Sequence, residues 1–384
     1  MHLDNGDNSL MAFLDLSAAF DTVDKQILIT RLSRSFGIRG TALDWFSSYL
    51  SDRTQYVLFN KIKSPARTVK YGVPQGSVLG PVLFVLYTAD LEHIATQHDV
   101  ISHFYADDSQ LYVFSEPTAS QSAEVRLLRC LEDIAKWMRS NRLCLNPTKT
   151  QFMRCATARR MSQLSIKSIA FSGEEIMPAT SVRNLGVVVD SSLTFQHHIS
   201  RVVSSCFYQM RRIKGSLRAL PFDTAKTIMN CFVISRIDYC NSLLVGAPKY
   251  SLDRLQRVMN SAARLLCHAG RRAHVSSLLR DRLHWLKIPQ RIQYKLCLMV
   301  FKALNGSAPA YISSLCNRNI DIAARSRLRS ATHGDLLLPT TKTQFGNRAF
   351  AVAGPRAWNS LPPVLRSINS LTTFKKLLKT HLFN

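Results

Sequence analysis

Asp107 and Asp108 stand side by side between two runs of aromatic and branched residues, with Ile101, Phe104 and Tyr105 before them and Leu111, Tyr112, Val113 and Phe114 after. This pattern predicts a β-hairpin with the acids at its tip. Adjacent carboxylates repel, so their pairing on apolar strands is costly unless a cation lies against them. An ordinary Asp-Asp turn is the plain alternative on this stretch alone. A third acid has a similar setting: residues 9–14 (Ser-Leu-Met-Ala-Phe-Leu) read as a short apolar strand that ends at Asp15. If that strand lies beside the hairpin, Asp15, Asp107 and Asp108 converge. Three carboxylates suit a hard cation such as Mg²⁺. Two such ions close together clamp an in-line displacement at phosphorus.

Between the acids runs Tyr71-Gly72-Val73-Pro74-Gln75-Gly76-Ser77-Val78-Leu79-Gly80-Pro81, with three Gly and two Pro in eleven residues. Such a loop lets backbone approach a ligand closely. Read alone, it is equally a tight turn before the apolar helix expected over residues 82–91.

These groups need elements to position them. After Asp15, the residues Phe20, Val23, Ile27, Leu28 and Leu32 fall at helical spacing, and residues 42–50 suggest a second helix. Residues 54–72 read as a strand pair across a turn at 61–65. An amphipathic helix is expected over 122–141, with Val125, Leu128, Leu131, Ile134, Ala135 and Met138 on its inner face, then a strand over 149–154 and a basic linker over 156–163. Past residue 195 the pattern is helical, apart from a polar loop over 317–335 and before a last basic helix at 371–383. In residues 251–268, capped by Ser251, Leu255, Val258, Met259, Ala262 and Leu266 share one face, while Arg254, Arg257, Ser261 and Arg264 share the other. That second face is either solvated or a nucleic-acid surface. Residues 1–8 read as a frayed start.

Charge is unevenly spread. The 384 residues carry a net charge of +25, yet residues 1–150 hold 15 basic and 16 acidic side chains, so the excess lies beyond them. A polycation of this kind suits a phosphate backbone and binds it in a salt-dependent way. The nine cysteines form no C-x-x-C pair, and His197-His198 and the other histidines show no metal spacing. An odd count of cysteines without a leader predicts a reducing, intracellular setting, cytoplasm and nucleus, and not secretion. The longest apolar run is too short for a membrane span.

Together the motifs read F-x-D-L-S-x-A-F-D, then G-x-P-Q-G-S-x-L-G-P, then F-Y-A-D-D, in that order. The chain resembles the reverse transcriptase of a non-long-terminal-repeat retrotransposon, LINE-type and Jockey-like. The likeness continues through residues 141–150 and 184–190 and into Trp358-Asn359-Ser360-Leu361-Pro362. It implies an α+β fold: a polymerase palm with an antiparallel sheet flanked by helices, then a helical thumb and a helical basic C-terminal domain, over residues 1–155, 156–220 and 221–384. It implies RNA-templated DNA synthesis from dNTPs on a DNA primer or target. Asp15, Asp107 and Asp108 are then the ligands of two Mg²⁺ ions, with Mn²⁺ as a substitute. Lys149 becomes the basic, catalytic residue near the pyrophosphate, able to donate a proton to it, Phe20 the gate against a ribose 2′-hydroxyl, Gln75 and Gly76 the nucleotide-side loop, and Leu185 and Gly186 the primer grip. Arg254, Arg257 and Arg264 are the candidate nucleic-acid contacts. Only fourteen residues precede Asp15, so the resemblance further implies a C-terminal piece of a longer polyprotein, without fingers or endonuclease. The rival readings are a catalytically inactive nucleic-acid-binding remnant and, less favoured because hydrolysis needs no nucleotide loop, a metal-dependent nuclease.

Overall fold

The computed structural model describes residues 2–161, 167–217, 219–270, 272–322 and 334–383. The expected linker at 156–163 and loop at 317–335 run partly outside the described residues. The chain divides into two compact units, residues 6–185 with His2, and the remainder from Gly186 with residues 3–5.

In the N-terminal unit, period-two patterning builds the strands β1 (Asn8–Leu14), β6 (Ile101–Tyr105), β7 (Asp108–Ser115) and β8 (Gln151–Cys155). They form one antiparallel sheet in the order β6-β7-β1-β8. Leu10, Ala12 and Leu14 of β1 and Leu111 and Val113 of β7 enter a core with helices α1 (Lys25–Arg34), α3 (Leu79–Thr88) and α5 (Ser120–Ser140). Helices α2 (Thr41–Leu50) and α4 (Asp90–Gln97) complete this layer. The mixed helical and antiparallel architecture is the one expected.

Several local expectations are corrected. Helix α1 begins only at Lys25, because the Asp24 carboxylate accepts the amides of Gln26 and Ile27 at 2.9 and 3.1 Å and sets the N-terminus there. Phe20 and Val23 therefore lie on an irregular segment. The inner face of α5 is centred on Ala123, Leu127, Cys130 and Ile134, which leaves Val125 exposed. The turn expected at 61–65 falls at Asn60 and Lys61, both at positive φ, between β3 (Leu58–Phe59) and β4 (Ile62–Lys63); β2 (Thr54–Gln55) pairs with β5 (Arg67–Thr68) outside it. Two further hairpin strands, β9 (Ile169–Phe171) and β10 (Glu174–Ile176), and the strand β11 (Ser181–Asn184) end the unit.

The C-terminal unit opens with β12 (Val187–Asp190), and its main elements among the described residues are the helices α6 (Gln196–Leu217), α7 (Phe222–Met229), α8 (Lys249–Leu266), α9 (Ile288–Leu304), α10 (Phe350–Asn359) and α11 (Leu371–Phe383). Ile199, Leu217, Ala225, Met229, Val258 and Met259 share one core. An expected boundary near residue 220 thus has continuous packing on both sides. Val300, Phe301, Trp358, Phe374 and Leu378 form a second core, in which Phe301 and Phe374 stack at 4.4 Å. The first residues are not frayed: Asp4 is buried, and its carboxylate accepts the backbone amides of Lys342 and Thr343, each at 2.8 Å. His198 is buried with Nδ1 accepting the Val188 amide, and Cys231 is exposed. Helix α8 starts before Ser251, whose side chain is buried rather than capping.

Candidate active site

Register places the acids. Leu14 of β1 faces Ser109 of β7, and Tyr105 faces Asp108 across the hairpin turn. Asp15 follows Leu14 and Asp108 precedes Ser109, so the two acids leave the sheet at one end on neighbouring strands, with Asp107 in the adjoining turn. The Asp108 carboxyl is raised above the usual carboxylate range, first by burial and then by the charges of Asp107 and Asp15. The three therefore feel one another.

Lys149 reaches the same place by a different route. Beyond α5 the chain runs beside the Asp15 segment: the Asn146 amide donates to the Asp15 carbonyl and the Ser17 amide to the Cys144 carbonyl, both at 2.9 Å. The Lys149 ammonium then stands 3.6 Å from an oxygen of Asp15. That oxygen is buried without a hydrogen bond. A donor set of three carboxylates with one orphaned oxygen fits a hard divalent cation. As the side chains stand, no three acid, histidine or cysteine groups among the described residues form a ready metal-binding cluster.

The glycine-rich loop docks on the segment between Asp15 and α1. The Gly72 amide donates to the Val23 carbonyl at 2.7 Å, and the Val73 amide to the Phe20 carbonyl at 2.9 Å. The Phe20 ring packs on Phe84 of α3 with centroids 4.8 Å apart, so it is partly a core residue. Gln75 is held by Asp21: its Nε2 donates to the carboxylate at 2.8 Å. Ser77 closes the loop onto α3, donating to the Pro74 carbonyl and accepting the Gly80 amide. Gly72 has φ +89°, and a Cβ there would lie 2.9 Å from the Asp21 Cα and the Phe20 carbonyl. Gly72→Ala is accordingly expected to cost about 1–3 kcal/mol and to melt below Gly37→Ala, which shares a positive φ (+67°) but would meet nothing within 4 Å. Thermal melts of the two variants measure the difference.

Three residues here were missed by sequence reasoning. Asp21 was legible only as the end of A-F-D; its role is to anchor Gln75. Lys25 and Arg53 line a cavity of about 470 Å³ beside Gln75 and Tyr71, and no motif marks them. Burial, and then Arg53, hold the Lys25 ammonium below its ordinary range.

The predicted primer-grip residues form the turn after β11, Leu185 at φ +44° and Gly186 at φ +83°, and the two units divide within it. On the N-terminal side, Gln110 of β7 donates to Asn184 at 2.9 Å, which ties the start of this turn to the acid hairpin. Of the predicted nucleic-acid contacts, Arg254 donates to Ser200 of α6 at 3.0 Å, whereas Arg257 and Arg264 line an open groove of about 810 Å³ with Lys214 and His268.

A four-stranded antiparallel sheet thus bears carboxylates on adjacent strand ends, with a glycine-rich loop docked alongside. Residues 2–189 match the family described as reverse transcriptase (RNA-dependent DNA polymerase). The chain is 29% identical over 277 residues to the probable RNA-directed DNA polymerase from transposon BS of Drosophila melanogaster, covering 70% of this chain and 30% of that protein. It is 28% identical over 206 residues to the RNA-directed DNA polymerase from the mobile element jockey of the same organism, covering 52% of this chain and 22% of that protein. The chain thus spans less than a third of the length of either relative. Among solved structures, telomerase from Candida albicans in complex with a fragment of telomeric RNA matches over 75% of this chain and 47% of that one at 15% identity, with a TM-score of 0.33, too loose a superposition to bear on the site.

Proposed function

We propose that this chain is an RNA-directed DNA polymerase that adds dNTPs to the 3′-hydroxyl of a DNA primer or target paired with an RNA template. The observation that carries the reading is the convergence of Asp15, Asp107 and Asp108 at one sheet end, with Lys149 beside them and the Gln75 loop docked on the segment that Asp15 begins. Asp15, Asp107 and Asp108 would hold two Mg²⁺ ions, or Mn²⁺, which when bound lower the pKa of the primer hydroxyl and stabilise the leaving pyrophosphate. Lys149 would donate a proton to that leaving group. Phe20 presents the ring that excludes a 2′-hydroxyl, and Gln75 and Gly76 form the wall of the nucleotide site. Leu185 and Gly186 hold the primer. Arg257 and Arg264 contact backbone phosphates from their groove, with Arg254 as a positioning residue between α8 and α6. No disulfide joins the nine cysteines, and the proposed setting is the cytoplasm or nucleus. No helix among the described residues is long and apolar enough to cross a membrane.

One observation favours the second reading, a catalytically inactive nucleic-acid-binding remnant: the Lys149 ammonium stands 3.6 Å from the Asp15 carboxylate, where a cation would have to displace it. A labelled DNA primer on an RNA template separates the readings. Lengthening that requires dNTPs is the expected result; shortening without dNTPs would mean a nuclease, and salt-sensitive binding with neither would mean a remnant.

A further inference from the structure

On the C-terminal unit a second cleft, of about 620 Å³, shares no lining residue with the groove of Arg257 and Arg264. Three helices bring cations to it: Lys226 from α7, Arg291 and Lys295 from α9, and Lys379 from α11. One carboxylate lines it, Asp238, and Arg291 occupies that carboxylate at 2.6 and 2.8 Å. The lysines are left without a counter-charge from the lining. They are also close enough to interact, since Lys379 is held below the ordinary ammonium range by burial and then by Arg291 and Lys226. Gathering like charges from three separate elements is destabilising unless an anion joins them.

The backbone around the cleft is unusual as well. Asn230–Ile234 and Leu278–Leu283 are wide π-type turns, and the second ends at His284 with φ +53°. Such turns recur at functional sites. Here they bring Asn230, Leu283 and His284 into the lining beside the buried Trp285. The volume lies in the range that takes small organic ligands, so a whole nucleotide fits rather than an isolated anion. The surrounding half of the chain is the strongly basic one, which favours a long polyanion.

We propose that this cleft is a phosphate-binding site for a nucleic-acid strand, separate from the polymerase acids. The inference concerns binding alone and stands whether or not the chain polymerises. The test uses the full chain and a 5′-fluorescein-labelled single-stranded RNA of about 20 nucleotides, followed by fluorescence anisotropy across a salt series. Lys226→Gln/Lys379→Gln is compared with Lys375→Gln/Lys376→Gln, two exposed lysines of α11 outside the cleft. Both pairs remove the same charge. The cleft pair is expected to weaken binding about tenfold and to lower the slope of log affinity against log salt by about 1.4, since each phosphate contact on a single strand contributes about 0.7. For the control pair a change under about twofold and an unaltered slope are expected. Equal effects of the two pairs would overturn the proposal. So would unchanged RNA binding by the cleft pair together with loss of the thermal protection that sodium pyrophosphate gives wild type, which would assign the cleft to a free small phosphate. Because the cleft pair relieves repulsion, it should melt no lower than wild type; a lower melting temperature contradicts the premise.

Discussion

Asp108→Asn is expected to yield a protein that no longer extends a primer and yet melts at a higher temperature than wild type. On the proposed assignment, the loss follows from removing one of three carboxylates that would hold the cations of phosphoryl transfer. Positioning and charge stabilisation supply most of that catalysis, so a fall of at least about a thousandfold is expected, about 4 kcal/mol of transition-state stabilisation. The gain in stability follows from the raised Asp108 carboxyl, which burial and the neighbouring charges of Asp107 and Asp15 disfavour when ionised. At low pH the group is protonated in both folded and unfolded chains and contributes nothing. As pH rises from its unfolded value through its higher folded value, the unfolded chain loses the proton first and folding becomes less favourable. The penalty is complete at neutral pH, where Asn removes it. Thermal melts of wild type and variant at pH 7, without divalent cation, measure the difference; at a pH below the ordinary carboxylate range the two should converge.

Arg31→Ala is the substitution expected to do most harm to the fold. The guanidinium of Arg31 has a side-chain exposure of only 10% and is 3.1 Å from Asp90. Its Nη2 donates to Asn141 at 2.9 Å, its Nη1 donates to the Tyr87 carbonyl, and it lies over the rings of Tyr87 and Trp137 at 5.2 and 5.1 Å. The Tyr87 hydroxyl in turn donates to the Asn141 carbonyl at 2.6 Å. One side chain thus joins α1, α3, α4 and α5 beneath the sheet. Truncation leaves buried acceptors unpaired and opens space among the rings, at a cost of about 3–5 kcal/mol. For a unit of this size, that corresponds to a fall in melting temperature on the order of 10 °C. Arg31→Lys keeps the charge but loses the planar fork and should recover less than half of the loss. Calorimetry of the three proteins reads both effects; a drop under about 1 kcal/mol for Arg31→Ala would show that the network is dispensable.

What could be read from the sequence follows from which physical signals are local. The acid hairpin was legible because aromatic and branched residues flank its two carboxylates, and the buried face of α8 because Leu255, Val258, Met259, Ala262 and Leu266 recur at helical spacing. Convergence of Asp15 on the hairpin could only be conditional, since strand order β6-β7-β1-β8 is a non-local property. Where two signals compete, spacing misled. Phe20 and Val23 extend the periodicity of α1 backwards, but the Asp24 cap starts the helix only after them. Val125 fits the apolar pattern of α5, whereas the small residues Ala123 and Cys130 define the packed face. Polar residues whose partners are distant in sequence were the least legible. Arg31 looks like any helix-surface arginine, Asp4 like part of a polar tail, and Asp21 like no more than the end of A-F-D, until their partners Asn141, Thr343 and Gln75 are known.

The most direct test of the central claim is extension of an oligo-dT primer on a poly-rA template with dTTP and Mg²⁺ by wild type and by Asp107→Asn, with template binding measured in parallel. Extension by wild type, its loss in Asp107→Asn and equal template binding by both are the predicted results. Equal extension by the two proteins would contradict the assignment of the acids, and absence of extension by a folded, template-bound wild type would leave binding as the activity of this chain.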